Sequence, residues 1–296
     1  MSLTVEVTGP QGPACTLAEG PRWDEAGRRL LWVDIDNGLL LAAALDDGRL
    51  GPTASRPVAA TLGAVAPAAD GSILAAAHDR LVLLRPDGSS TRSRALVADG
   101  HRFNDGAVDP AGRFLVGTLA LGQHTWQEQL LRIEPDGGVT VLDNDLGLSN
   151  GLGWSADGTR FYSVDSERHA VFVREYDAVS GATGARRTWV EIDDGFPDGI
   201  AVDVEDHVWV AVWGAGEIRR FSPLGELVDI VRVPAPHTSA VGFAGPARDV
   251  LVVSTACKGL DAGQLAAFPA SGHLFTGHAT VPGLPATPWA VGPLPL

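Results

Sequence analysis

Six short turns recur along this chain, each followed by an apolar run, and their spacing restricts the fold more than any other feature. The turns are Glu25-Ala26-Gly27, Ala69-Asp70-Gly71, Pro110-Ala111-Gly112, Ala156-Asp157-Gly158, Val204-Glu205-Asp206 and Pro246-Ala247-Arg248. They stand 44, 41, 46, 48 and 42 residues apart. Such a period marks repeat architectures, in which each unit buries its faces against its neighbours. The runs after the turns, among them Leu30-Leu31-Trp32-Val33 and Val208-Trp209-Val210-Ala211-Val212, are short and rich in aromatic and β-branched residues, so they read as strands. A second strand is expected at 81–84, 130–133, 171–174, 218–221 and 264–268, ending at turns such as Pro86-Asp87-Gly88. No helical periodicity of useful length is present. A unit of about 45 residues holding about four strands is a propeller blade. The chain is therefore expected to be all-β, a six-bladed β-propeller with a central channel, formed as one domain over residues 1–296. The alternative is a pair of β-sandwiches, against which the regular period argues. The Gly-His to Trp-Asp pairing of WD repeats does not recur.

One position recurs with the turns. Eight residues before the third residue of each turn stand Glu19, Gly63, Asn104, Asn150, Asp198 and Ala240. Equivalent positions in a closed circular repeat point at one place, so two carboxylates and two amides converge on the axis. Such an all-oxygen set suits a hard cation. The Gly that follows Glu19, Asn150 and Asp198 lets a ligand or another backbone approach closely. Taken singly, Asn-Gly and Asp-Gly are ordinary turn pairs; the shared repeat position is what argues for a site.

Bulk properties narrow the function. The chain has 296 residues, 45% of them hydrophobic, which is ample for a large core. Its net charge of −14 repels phosphate backbones, so nucleic acid is not an expected partner. Lys258 is the only lysine, which leaves Schiff-base chemistry one candidate. The first residues lack the basic and apolar regions of a secretory signal, and no apolar run approaches the roughly 20 residues that span a bilayer. A cytoplasmic protein with no membrane contact is expected, as a monomer or small homo-oligomer. The Arg-rich, Lys-poor usage hints at a GC-rich bacterial genome. Cys15 and Cys257 are expected as free thiols. No Gly-x-Ser-x-Gly elbow, phosphate loop or dinucleotide fingerprint occurs.

Four segments carry a resemblance. Leu17-Ala18-Glu19-Gly20-Pro21, His101-Arg102-Phe103-Asn104-Asp105-Gly106, Leu148-Ser149-Asn150-Gly151-Leu152 and Phe196-Pro197-Asp198-Gly199-Ile200-Ala201-Val202-Asp203 resemble the motifs of the gluconolactonase, regucalcin and luciferin-regenerating-enzyme family. The resemblance is weakest over the second blade and the last 30 residues. It implies a six-bladed propeller with one divalent cation in the channel, and a sugar lactone as substrate. By the same resemblance Glu19, Asn150 and Asp198 are the metal ligands, and Arg102 and Asn104 bind substrate. Calcium, manganese, magnesium and zinc all remain open as the cation.

The residue types suit that chemistry. Two carboxylates neutralise a divalent ion, and an Asn carbonyl adds a neutral hard oxygen. Arg offers a rigid fork of donors, and Asn a donor and an acceptor, for a polyol. The reading is metal-assisted lactone hydrolysis, with Asp198 activating water. The alternatives are a phosphotriesterase-like hydrolase and a calcium-binding propeller without turnover. Arg102 could instead pair with Asp105; Asp105 and Asp109 are read as holding a loop and a turn. Family members often read Gly-Thr-Met after the third blade's strand, followed by an acidic residue. Here Gly117-Thr118-Leu119 is followed by none until Glu128, which leaves the sugar preference open. His124 and Trp126 in that loop are read as surface residues within reach of substrate. Trp23, Trp32, Trp154 and Trp209 are read as core, Asp34 and Asp165 as caps on blade hydrogen bonds, and His237-Thr238-Ser239 as a candidate pocket wall. The Pro-rich end either completes the closing blade or trails over the surface.

Overall fold

The computed structural model describes residues 5–123 and 125–296. Five four-stranded antiparallel sheets and one three-stranded sheet follow one another in sequence. In each, the strand that comes first in the chain is innermost: Ala18–Asp24, Leu62–Pro67, His101–Val108, Ser149–Trp154, Phe196–Val202 and Thr238–Ala244. Each of these touches the next, and the sixth touches the first, so the ring closes as a six-bladed propeller.

Both faces of the inner strands are buried, which is why these strands read as continuous apolar runs rather than alternating ones, while outermost strands such as Ala54–Pro57 and Ser90–Ala95 are largely exposed. Among the described residues, six apolar clusters fill the six gaps between blades, one to a gap. Trp23, Trp32, Trp154 and Trp209 all lie buried within them. The recurring turns show why they recur. Gly71, Gly112, Gly158, Asp206 and Arg248 all have positive φ, while in the first blade the left-handed residue is Arg28, one position later. Equivalence between blades therefore holds to within a residue.

Closure is made by the start of the chain. Thr8 and Gln11 donate their backbone N–H groups to Thr276 and Leu274, at 2.6 and 2.8 Å, so the opening segment lies along the outer strand of blade six, Leu274–His278. The expected strand at 264–268 is instead a helix, Ala262–Ala267. Asp261 and Gln264 form a capping box there, and that Asp-x-x-Gln spacing is legible in the sequence. The Pro-rich end does not complete a blade. It crosses the lower end of the propeller, where Leu284, Trp289 and Ala290 donate to Val202, Pro67 and Gly112. Above it lies a cavity of about 270 Å³ in the lower channel, lined by Arg22, Trp23, Asp105, Trp154, Phe243 and residues 284–287 among others.

Candidate metal centre

All six recurring positions lie near the upper start of an innermost strand, and in every blade the pairing with the second strand slips there. The slips fall between Glu19 and Arg22, Leu62 and Ala64, Phe103 and Gly106, Asn150 and Leu152, Pro197 and Ile200, and Thr238 and Ala240. A bulge re-aims a side chain that would otherwise follow the alternation of the strand. Repeated six times, it turns one residue per blade toward the axis.

The small residues let the inner strands crowd together. A Cβ on Gly63 would stand 2.4 Å from the Asn104 carbonyl oxygen, and one on Gly151 would stand 2.5 Å from that of Asp198. The close approach expected after Asn150 is thus made by a neighbouring backbone. After Glu19 it is different: Gly20 has φ +54° and open space where a Cβ would be.

A directed chain of hydrogen bonds joins three of the predicted residues, Arg102, Asn104 and Asn150. Arg102 Nη1 donates to the Phe103 carbonyl at 2.7 Å and to Asn104 Oδ1 at 2.8 Å. Asn104 Nδ2 donates to Asn150 Oδ1 at 2.8 Å and to the Ser149 carbonyl at 2.9 Å. Asn150 Nδ2 donates to Ser166 Oγ at 3.0 Å, and Ser166 Oγ donates to the Pro197 carbonyl at 2.5 Å, next to Asp198. Because a guanidinium can only donate, the amide orientations follow in sequence. Asn150 Oδ1 keeps one lone pair free for a ligand. Arg102 pairs in this chain rather than with Asp105.

The carboxylates have the opposite problem. Glu19 and Asp198 are 5% and 6% exposed. Glu19 accepts one hydrogen bond, from its neighbour Gly20, and Asp198 Oδ1 is buried with no partner among the described residues. Burial first, then the charge of Asp105, pushes the Glu19 carboxyl up to about 8. Burial, then Glu19 and Asp105, pushes Asp198 well above the usual carboxylate range. Burial also lowers Arg102 from its ordinary value. Unpaired buried carboxylates are costly, and a cation bound between them removes the cost. The orphaned Asp198 Oδ1, the Glu19 carboxylate and the free lone pair of Asn150 are three hard oxygens, which fits calcium, magnesium or manganese better than a thiophilic metal.

A model of the SMP-30/Gluconolactonase/LRE-like region matches residues 17–257. The chain belongs to this family. It is 35% identical over 252 residues to a pentonolactonase, XacC, of Haloferax volcanii, covering 84% of this chain and 85% of that one. It is 32% identical over 271 residues to the regucalcin of Xenopus laevis, covering 88% and 89%. The crystal structure of a regucalcin from Agrobacterium tumefaciens, described as a calcium-binding protein, aligns with a TM-score of 0.89 at 26% identity over 98% of this chain and all of that one. A gluconolactonase from Xanthomonas campestris, XC5397, shares the fold, with a TM-score of 0.68 at 21% identity over 95% of each chain.

Within this family member, Asp105 departs from the reading of its sequence. It has one local bond among the described residues, from the Gly106 N–H, which donates to Asp105 Oδ1 at 2.7 Å within the strand. It is buried at the top of the lower cavity, 3.9 Å from Arg22 Nη2, and burial pushes its carboxyl up as well. In blade three the slip leaves two residues unpaired, Asn104 and Asp105. Asp109 does hold its turn, accepting from the N–H groups of Ala111 and Arg113 and from Tyr176 Oη. Asp34 and Asp165 cap as expected, accepting from residues 16–17 and 147–148. Cys15 and Cys257 are free thiols. Of His237-Thr238-Ser239, the last two are buried and bonded to backbone, and the His237 ring stacks on Trp213 at 4.1 Å. His124 lies outside the described residues. Trp126 is 48% exposed and stacks under Arg168 at 5.1 Å.

A second acidic group, Asp203, Glu205 and His207, also clusters, at the lower turn of blade five. Its charge is already answered: Asp203 accepts from two backbone N–H groups, Trp209 Nε1 and Arg220, and Glu205 accepts from Arg220. A cation there would have to displace the guanidinium. No helix among the described residues is long and apolar enough to cross a membrane.

Proposed function

We propose that this chain hydrolyses a sugar lactone, with Glu19, Asn150 and Asp198 holding one divalent cation and Asp198 taking the proton from the attacking water. The observation that carries the reading is the buried, unpartnered Asp198 Oδ1 beside Glu19, at the end of a relay that begins at Arg102. The lactonases among the relatives support the substrate class.

A bound cation supplies Lewis acidity at the lactone carbonyl and a lowered pKa for water. The chain's own residues do the rest. Asp198, whose Oδ1 has no partner among the described residues, takes the proton from the water that attacks the carbonyl carbon. The ring C–O bond then breaks, and the ring oxygen leaves as the hydroxyl of the open acid. Arg102 commits Nη1 to the relay and keeps Nε and Nη2 for a substrate oxygen. Asn104 has both amide hydrogens engaged, so its contact with substrate is through the second lone pair of Oδ1.

The test is proton release from a panel of aldonolactones by chelator-stripped protein, with calcium, manganese, magnesium or zinc restored. Metal-dependent opening of one or two lactones is expected. Asp198→Ala should abolish it and weaken metal binding; retained turnover by that variant would sink the assignment. Metal binding with no lactone opened would move the reading to phosphotriester hydrolysis or to a calcium-binding propeller without turnover.

A further inference from the structure

The carbonyl just before each candidate metal ligand is bonded from a neighbouring blade. Ser239 Oγ donates to the Ala18 carbonyl at 2.5 Å, before Glu19. Asn104 Nδ2 donates to the Ser149 carbonyl at 2.9 Å, before Asn150. Ser166 Oγ donates to the Pro197 carbonyl at 2.5 Å, before Asp198. The donor belongs each time to the preceding blade: six holds one, three holds four, and four holds five. The blades without a ligand differ. The equivalent carbonyl of Phe103 accepts from Arg102 of its own strand, and those of Leu62 and Ser239 accept from no side chain among the described residues.

Such a bond aims the side chain that follows it. A carbonyl and the N and Cα of the next residue lie in one peptide plane. Holding the oxygen therefore sets the direction in which the next side chain leaves the strand. The ladder cannot do this alone, because its pairing slips at or beside each ligand. The two serines are themselves held. Ser239 and Ser166 are both buried. Ser239 gives its one proton to Ala18, so Ser254 Oγ, 2.9 Å away, is the donor to Ser239. Asn150 Nδ2 donates to Ser166 in the same way at 3.0 Å. Each carboxylate ligand is thus preceded by a peptide tied to a fixed hydroxyl. At the seam where the ring closes there is little slack: a Cβ on Gly242 of blade six would stand 2.4 Å from the Pro21 carbonyl oxygen of blade one.

We propose that Ser239 and Ser166 are positioning residues that set the separation of Glu19 and Asp198, and with it the affinity of the centre for its cation. Two like charges close together repel, so an empty site favours carboxylates that have turned apart. The serine bonds oppose that turn and keep the oxygens where one ion meets both. The proposal rests on the metal reading of Glu19, Asn150 and Asp198, and on no assumption about the lactone.

The test is calcium binding by calorimetry to the chelator-stripped full chain, with urea midpoints of the cation-free protein measured alongside. Ser239→Ala should weaken calcium binding about 10- to 100-fold, and Ser166→Ala at least as much because it also frees Asn150. The control is Thr238→Val. Thr238 is fully buried beside Ser239, and its hydroxyl also crosses between blades, to the Val212 and Glu217 carbonyls, neither of which precedes a ligand. This variant should lower the midpoint as Ser239→Ala does, yet leave calcium affinity unchanged. An equal loss of affinity in Ser239→Ala and Thr238→Val, or no loss in the serine variants, overturns the proposal and leaves the metal centre standing. Should one serine variant fail to fold, the other decides. A parent chain that binds none of calcium, magnesium and manganese overturns the metal reading and this proposal with it. The comparison needs no turnover, so it decides even where no lactone is opened.

Discussion

The three buried carboxylates Glu19, Asp105 and Asp198 make the site dependent on pH. Glu19 has an ordinary value of 4.5 and a folded value of about 8. An acid raised on folding holds its proton more tightly in the folded state, so its ionisation opposes folding. Below about pH 4.5 it is protonated in both states and adds no penalty; above about pH 8 it is ionised in both, and the folded state carries the full penalty. The cation-free protein should therefore lose stability as pH rises between these values. A bound cation keeps the carboxylates ionised and removes the penalty. Calcium should raise Tm by several degrees more at pH 8 than near pH 5, read by thermal unfolding with and without chelator. An equal gain at both pH values would contradict this account of Glu19.

Elements matter here through their irregularities. The bulge is what brings Glu19, Asn104, Asn150 and Asp198 to one axis, and the crowding of adjacent inner strands is what holds each bulge in place. Gly63 supplies no ligand, yet a Cβ there meets only backbone, at 2.4 Å from the Asn104 oxygen and 2.8 Å from Phe103. Gly63→Ala should displace the strand that carries the relay, cost about 1–3 kcal/mol of stability and lower lactone kcat/KM at least tenfold. Gly122, where a Cβ would meet nothing within 4 Å, is the control and should tolerate alanine. Denaturant midpoints and initial rates for the two variants decide it; equal behaviour would mean the inner strands are free to shift.

At the scale of the whole molecule, the two ends of the chain do different work. Residues near Gln11 close the ring against blade six; Gln11 Nε2 also bonds the Gly48 carbonyl at 2.9 Å and Thr276 Oγ1 at 2.6 Å. The last residues seal the lower end, and Trp289, 5% exposed, is buried with Ala64, Phe114 and Ile133 in the core between blades two and three. Trp289→Ala should cost about 3–5 kcal/mol, read as a lowered urea midpoint. Because this anchor lies at the end opposite the candidate metal centre, the folded variant should keep the lactone selectivity of the parent. An unchanged midpoint would show that the tail lies on the propeller without holding it.

Much of this molecule is written in its sequence. The period of the turns, the apolar runs and the strand content determined a six-bladed propeller, because each blade must repeat the same local pattern to bury both its faces. The spacing from turn to axis determined which residues face the channel, since strand geometry is short-range. The exception at 264–268 is itself local: the cap at Asp261 and Gln264 outweighs the apolar run that follows it. The tertiary structure alone decided how the axial residues are used. The orphaned Asp198 Oδ1 depends on what neighbouring blades leave uncovered, and the relay through Ser166 depends on a short 3-10 turn, Ser166–Arg168, packing against blade five. Asp105 lines the lower cavity beside the slip that leaves it and Asn104 unpaired. Ser239 and Ala18 stand 221 positions apart and meet only because the ring closes. Local patterns repeat along the chain and can be read there; contacts across the axis exist only once six blades have set their angles to one another.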